Sequence, residues 1–440
     1  TLMEGGPQYY LSYHGKNDAK INARIARLFR RITPIVNHTA PHIRRYRVPS
    51  ENRKIRVGFV SYYFRDHSVL KMTAGLLKNL DKDRFKVVLF HLGNIDDKTR
   101  MIETFCSKLV PLGGLNFETL KEKVSDEELD VIVYADIGMD PFSYALAMGR
   151  QAPVQLAMHG HASTTGIDSI DYYVSYKGFS EPNAQAHYSE ALIELEGHTP
   201  LPLYYDLVKF PVSPDMQKRE AVLAWRRRFK IPVDAVAYAC TQTLFKVSPS
   251  LDEVVRGVLT QHEEAVVVLK ELPMTDKVGR FVVERMRKTL TPELMSRVVF
   301  LPPLPDQDYC NMYAAVDVVL DSFPFGGHTS TMDAFSVGRP VVTLPTKLMS
   351  GRCTQGFYEH MGMSELIAKD LDDYVSIALR VGKDREYRDK LSATIRKRLP
   401  ALISDLTSVR AWASMLEVVV RRKGEIGTLL AANATKEAES

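Results

Sequence analysis

The sequence predicts an α/β protein built from two doubly wound, parallel-sheet domains that face each other across a cleft. Three observations carry that expectation. From Arg56 onward, short runs rich in β-branched residues alternate with longer amphipathic stretches, as strands alternate with helices. The alternation stops at "HTPLPLYYDLVKFPVSPD", where Pro200, Pro202, Pro211 and Pro214 and the absence of any periodicity read as a linker. A second alternating series then begins, and all the strands of such a series lie parallel, covered on both faces.

Taken in order, residues 1–51 read as a helical extension, because "NDAKINARIARLFRRITPIV" has apolar residues at helical spacing. Residues 52–205 form the first domain, with strands expected at "RVGFV", "KVVLF", "KLVPL", "DVIVYAD", "QLAMHG" and "DYYVS". Residues 206–400 form the second, with strands at "AVAYAC", "AVVVLK", "RVVFLP", "VDVVLDSF" and "PVVTLP". Residues 401–440 hold an amphipathic helix, "SVRAWASMLEVVVRRK", and a small, polar tail that is expected to fray.

Composition narrows the function. The 440 residues, 45% of them apolar, are enough for two or three buried cores. Lys and Arg number 58 against 53 Asp and Glu, a net charge of +5 that argues against obligate DNA binding. "WRRRFK" and "RRYR" lack interleaved aromatic platforms and read as solvated faces, so no nucleic-acid partner is expected. The four cysteines form no CxxC pair and have no His-rich companions, so neither a disulfide framework nor a zinc site is expected. No run approaches the roughly 20 apolar residues that span a bilayer. The N-terminus has no basic-then-apolar signal, which points to a cytoplasmic protein, or nucleocytoplasmic in a eukaryote. A first residue other than Met points to a fragment with sequence missing upstream.

Doubly wound sheets bind ligands outside the carboxyl ends of their strands, and that rule selects candidates. In the first domain it selects His67 after the opening strand, Asp136 after "DVIVYA", and His161 with Thr165 after "QLAMHG". In the second it selects Thr243 and Lys246 after "AVAYAC", and the loop "DSFPFGGHTSTMD" after "VDVVL". This loop delivers Gly327, His328, Thr329 and Ser330 to a helix N-terminus that ends at Gly338, with Asp333 one turn in. Backbone N–H groups and the positive end of the dipole converge there, which makes it a place for an anion. Each residue alone has an ordinary reading: His67 as a cap, Thr329 and Ser330 as N-cap hydroxyls, Lys246 as a solvated lysine. Their conjunction favours the anion site. Neither GxGxxG nor GxxxxGK[ST] is present, so dehydrogenase and P-loop readings lose their main support.

"GGHTSTMDAFSVGRPVVTLP", "RVGFVSYYFRDHSV", "RQAPVQLAMHGHASTTGIDSIDYYVS" and "TLFKVSP" together resemble the catalytic region of O-linked N-acetylglucosamine transferases and SPINDLY proteins, glycosyltransferase family 41, from about Arg56 to Arg422. The resemblance implies a GT-B architecture and metal-independent, inverting transfer of a sugar from a nucleotide diphosphate to Ser or Thr of a protein, with no cofactor. By position it implies that Lys246 and the backbone N–H groups of His328, Thr329 and Ser330 hold the diphosphate. Asp333 would take the ribose hydroxyls, and His67 would sit beside sugar and acceptor as base or as the group orienting it. Tyr309 stands where animal members place a base-stacking histidine, and Met312 where they place an arginine. Asp136, His161 and Thr165 would face sugar or acceptor. The link from Tyr205 to Ser213 is too short for the animal enzymes' intervening domain, so the compact bacterial form is expected, with upstream tetratricopeptide repeats recruiting proteins. "HTSTMD" points to UDP-N-acetylglucosamine as donor. GDP-fucose, UDP-glucose, another nucleotide sugar, a glycan or lipid acceptor, or a non-catalytic nucleotide-sugar scaffold are the alternatives.

Overall fold

The computed structural model describes residues 8–199, 201, 204, 206, 212–270 and 277–421. Most of the expected linker after Pro200 and the polar C-terminal tail lie outside the described residues.

Twelve strands are described, in two all-parallel sheets. The first comprises β1 (Ile55–Ser61), β2 (Phe85–His91), β3 (Lys108–Pro111), β4 (Val131–Tyr134), β5 (Val154–Ala157), β6 (Tyr172–Tyr176) and β7 (Ala191–Leu195). Its spatial order is β3-β2-β1-β4-β5-β6-β7. The second comprises β8 (Val236–Cys240), β9 (Ala265–Leu269), β10 (Val298–Phe300), β11 (Val318–Leu320) and β12 (Val341–Val342), in the order β10-β9-β8-β11-β12. Central strands such as "VIVY" and "AVVVL" are buried at every residue, because helices cover both faces of a parallel sheet.

Each sheet has one point where the strand order reverses, between β1 and β4 and between β8 and β11. Helices leave such a point toward opposite faces, so a crevice opens beyond the strand ends. The expected site residues His67, Asp136, Lys246 and His328 all follow one of these four strands.

The C-terminal helix Thr407–Arg421 returns to the first domain. Trp412, fully buried, donates from Nε1 to the Tyr176 hydroxyl at 2.9 Å, and Arg421 reaches the Pro49 carbonyl at 3.0 Å. The N-terminal helix Ala19–Ile32 docks through Asn22, Ala26 and Phe29, whose ring meets that of Tyr144 at 5.4 Å. Asn22 and Ala26 are buried, and Asn22 donates to the Thr164 carbonyl at 3.0 Å. Ile21, Leu28 and Ile32 remain exposed. The close fit depends on Gly166 at φ 74°, where a Cβ would come within 2.2 Å of the Asn22 backbone.

Candidate active site

A cavity of about 410 Å³ lies between the two switch points and is lined from both domains. The first contributes His67, His159 and His161, and the second Thr243, Lys246, Lys270, Tyr309, His328, Thr329 and Ser330. A larger cavity of about 800 Å³ lies elsewhere on the second domain, among Val212, Tyr313, Asp333, Arg339 and Ile403. The smaller one sits at the carboxyl ends of both sheets and gathers the titratable groups, so it is the candidate site.

The helix Thr329–Ser336 opens on this cavity with His328 as its N-cap, and no side chain caps its first N–H groups. Across that mouth runs a chain of polar contacts: Lys246 Nζ donates to Gln242 Oε1 at 3.2 Å, and Gln242 Nε2 donates to Ser330 Oγ. Lys246 also lies 4.5 Å above the Phe325 ring and 5.7 Å from that of Tyr13. Burial lowers its ammonium to a pKa of about 8, partly offset by the buried Asp321 carboxylate. An anion seated between Lys246 and the helix mouth restores the lost solvation, so the cation is poised for a charged ligand. Lys270, 4.3 Å above the Tyr309 ring, brings a second cation to the wall.

Gly327 lies behind the cavity wall with its backbone N–H already engaged. Its N–H is taken by Asp321 Oδ1 at 2.6 Å, and Gly326 N–H by the Ser350 carbonyl at 2.8 Å. A Cβ on Gly327 would meet Thr331 Oγ1 at 2.6 Å, Ser330 Oγ at 2.7 Å and Gln242 Nε2 at 3.0 Å. Gly327→Ala is therefore expected to displace Gln242 and Ser330 and to weaken anion binding at the helix mouth about tenfold or more. Calorimetric titration with inorganic pyrophosphate reads this directly, and unaltered affinity would contradict it.

On the opposite wall, His67 caps the helix Ser68–Asn79. Its Nδ1 accepts from the Val69 N–H at 3.2 Å, and its ring stacks on Tyr63 at 4.2 Å. Burial, Arg65 and Lys71 lower its pKa to about 4. A neutral ring with Nδ1 accepting carries its proton on Nε2, so His67 offers the cavity a donor. His161 stacks on Tyr9 at 5.2 Å, and its buried Nε2 has no partner. His328 and His159 both meet the Thr199 hydroxyl, at 2.8 and 3.0 Å. The His328 ring thus bridges the domains.

Besides Gly327, three further candidates lie off the cavity wall. Asp136 is buried beneath it, accepting from Ser61 Oγ at 2.9 Å; burial and then Asp140 raise its pKa to about 8. Thr165 is buried against Glu190, whose carboxylate takes both its N–H and its hydroxyl. Its part is in anchoring the loop. Asp333 lines the larger cavity, where the Tyr204 hydroxyl donates to it at 3.2 Å and to the Thr329 carbonyl at 2.8 Å.

Sequence reasoning missed Tyr9 and Tyr13. They lie on the 3₁₀ turn Tyr9–His14, inside the presumed extension, and line the cavity. Gly15 at φ 66° carries the chain so close to the second domain that a Cβ would meet Pro324 Cβ at 2.3 Å. The cluster "YYLSYH" was the available signal. Thr199 and Lys270 were missed because neither stands in a motif.

Two parallel domains presenting their switch points to a shared cleft define the GT-B class of glycosyltransferase folds. The chain belongs to Glycosyl transferase family 41, whose model matches residues 8–199 and 210–416. Among curated proteins it is similar to a probable UDP-N-acetylglucosamine–peptide N-acetylglucosaminyltransferase SPINDLY of Solanum lycopersicum, 25% identical over 356 residues, covering 78% of this chain and 36% of the relative. The corresponding protein of Arabidopsis thaliana is 24% identical over 398 residues, covering 86% of this chain and 41% of the relative. The chain thus spans less than half the length of these relatives. Among solved structures, an O-GlcNAc transferase of Thermobaculum terrenum shares the fold, with a TM-score of 0.75 at 22% identity over 94% of this chain and 76% of that one. A sucrose-phosphate synthase of Thermosynechococcus elongatus reaches 0.50 at 13% identity, covering 86% of this chain and all of the other.

Proposed function

We propose that this chain transfers a sugar from a nucleoside diphosphate to a Ser or Thr hydroxyl of a protein, with UDP-N-acetylglucosamine as the first donor to test. The observation that carries this reading is the Lys246–Gln242–Ser330 chain across an open helix N-terminus, facing His67 over one cavity. The names of the curated relatives supply the donor and the peptide acceptor.

In this reading the diphosphate displaces Gln242 and lies between Lys246 and the N–H groups of Thr329 and Ser330. Charge that develops on the leaving group meets a lysine and a helix dipole already in place, so the step needs no metal ion. Attack comes from the first-domain wall, opposite the leaving group, and inverts the sugar. His67, with its proton on Nε2, orients sugar or acceptor by donating a hydrogen bond, and the proton that the acceptor hydroxyl gives up as the new C–O bond forms passes to solvent.

His67→Asn is expected to lower kcat about a hundredfold and to leave nucleotide affinity within about twofold, as for a positioned donor acting on the reacting groups. The acid limb of the kcat profile between pH 5.5 and 8 stays where it was, because a group with a pKa of about 4 is already neutral there. Loss of that limb in the variant would make His67 the base; an unchanged kcat would remove His67 from the reaction, and nucleotide binding without turnover in the parent would favour a nucleotide-binding scaffold. Release of nucleotide from labelled UDP- and GDP-sugars in the presence of a peptide acceptor tests the reaction, and no release with any donor would sink it.

A further inference from the structure

Outside the cavity, three side chains from distant parts of the sequence converge: His198 beyond β7, His360 at the end of the helix Cys353–His360, and Asp405 before the C-terminal helix. Their ligand atoms all lie within 4.8 Å of one another, with Asp405 Oδ2 at 3.9 Å from His198 Nε2 and 3.5 Å from His360 Nε2.

The hydrogen bonds around the cluster fix its chemistry. His198 is only 1% exposed, and its Nδ1 lies 2.6 Å from the Thr199 carbonyl, which can only accept. The proton of neutral His198 is therefore on Nδ1, leaving a lone pair on Nε2. That Nε2 has no hydrogen-bond partner, and neither does the buried Asp405 Oδ2 it faces. Two buried acceptors aimed at each other call for a cation between them. The surroundings also match a ligand set. Metal-bound imidazoles commonly donate their second N–H to a backbone carbonyl, as His198 does. The other Asp405 oxygen is held by the Thr407 N–H at 2.7 Å. Tetrahedral coordination at zinc places ligand atoms about 3.3 Å apart, so small side-chain movements close the site. His360 is partly exposed, which gives the ion an entry path and room for a water as fourth ligand.

We propose that His198, His360 and Asp405 bind one divalent transition-metal ion of the zinc type as a structural clamp. Two imidazoles and one carboxylate suit zinc or its neighbours in the series better than magnesium or calcium, which prefer all-oxygen sets. The ion ties the start of the interdomain linker to the second domain and to the helix that returns to the first. Its nearest link to the cavity is Thr199, whose hydroxyl meets His159 and His328. The clamp takes no part in sugar transfer and does not depend on the donor assigned above.

The test uses the whole chain, stripped with EDTA and titrated with Zn²⁺ by calorimetry and with Co²⁺ by visible absorption. One equivalent of Zn²⁺ per chain is expected, with d–d bands from Co²⁺ and a rise in melting temperature. His360→Ala and Asp405→Asn should each weaken binding at least about a hundredfold and abolish that rise, with far-UV circular dichroism of the metal-free variants matching the parent. Absence of saturable binding would overturn the proposal. So would binding undiminished in both folded variants, which would place the ion elsewhere, for instance on His159 and His328.

Discussion

Lys246→Ala is expected to lower kcat by about 10² to 10³, corresponding to about 2.7–4 kcal/mol of lost transition-state stabilisation, the typical effect of removing a preorganised donor from a developing anion. The effect is large because Lys246 is a fixed, partly desolvated charge. Gln242 and the rings of Phe325 and Tyr13 hold its ammonium beside the helix mouth. Its pH dependence has a defined sign. The free protein loses the charge as pH rises through about 8, and a bound diphosphate favours the charged form. Nucleotide affinity is therefore full below pH 7 and falls above 8, by at most about tenfold per pH unit, one proton being linked to binding. In Lys246→Ala that fall disappears. A parent profile flat from pH 7 to 9.5 would remove Lys246 from the diphosphate site.

Trp412→Ala destabilises the protein by about 3–5 kcal/mol, the range for emptying a fully buried indole. Trp412 is wholly buried and anchors the C-terminal helix to β6 through the Tyr176 hydroxyl. The substitution leaves a cavity and an unpaired buried phenol together. Urea unfolding followed by circular dichroism should show an earlier transition. Trp412→Phe, which retains most of the ring volume and loses the N–H donor, should recover more than half of the difference. A shift below about 1 kcal/mol for the alanine variant would mean that the helix is not held through this residue.

The fold was legible where strands are buried on both faces, because such strands are written as uninterrupted apolar runs. β7 was not. Its sequence, "ALIEL", places Glu194 at an exposed position on the edge of the sheet and leaves no continuous run. Part of the second-domain half of the site was legible too, since Lys246 and the Gly326–Ser330 loop each lie in one short segment at a strand end, whereas Lys270 stands in no motif and Asp333 lines the other cavity. The roof of the cavity was not, because Tyr9 and Tyr13 reach it from an N-terminal turn that sequence periodicity assigns to an extension. The seat of the helix Ala19–Ile32 was not legible either: helical spacing shows that an amphipathic face exists and not which partner receives it, and here Gly166 lets the loop backbone approach Asn22 beside the packed Phe29. The cluster of His198, His360 and Asp405 has no local spacing at all, so only the folded chain brings it together.

A structure determined with UDP bound is the most direct measurement. The diphosphate is expected against the backbone N–H groups of Thr329 and Ser330, within hydrogen-bond reach of Lys246 Nζ, with Gln242 moved aside. A nucleotide seated instead in the larger cavity beside Tyr313 and Arg339, with Lys246 and Gln242 still joined, would contradict that expectation.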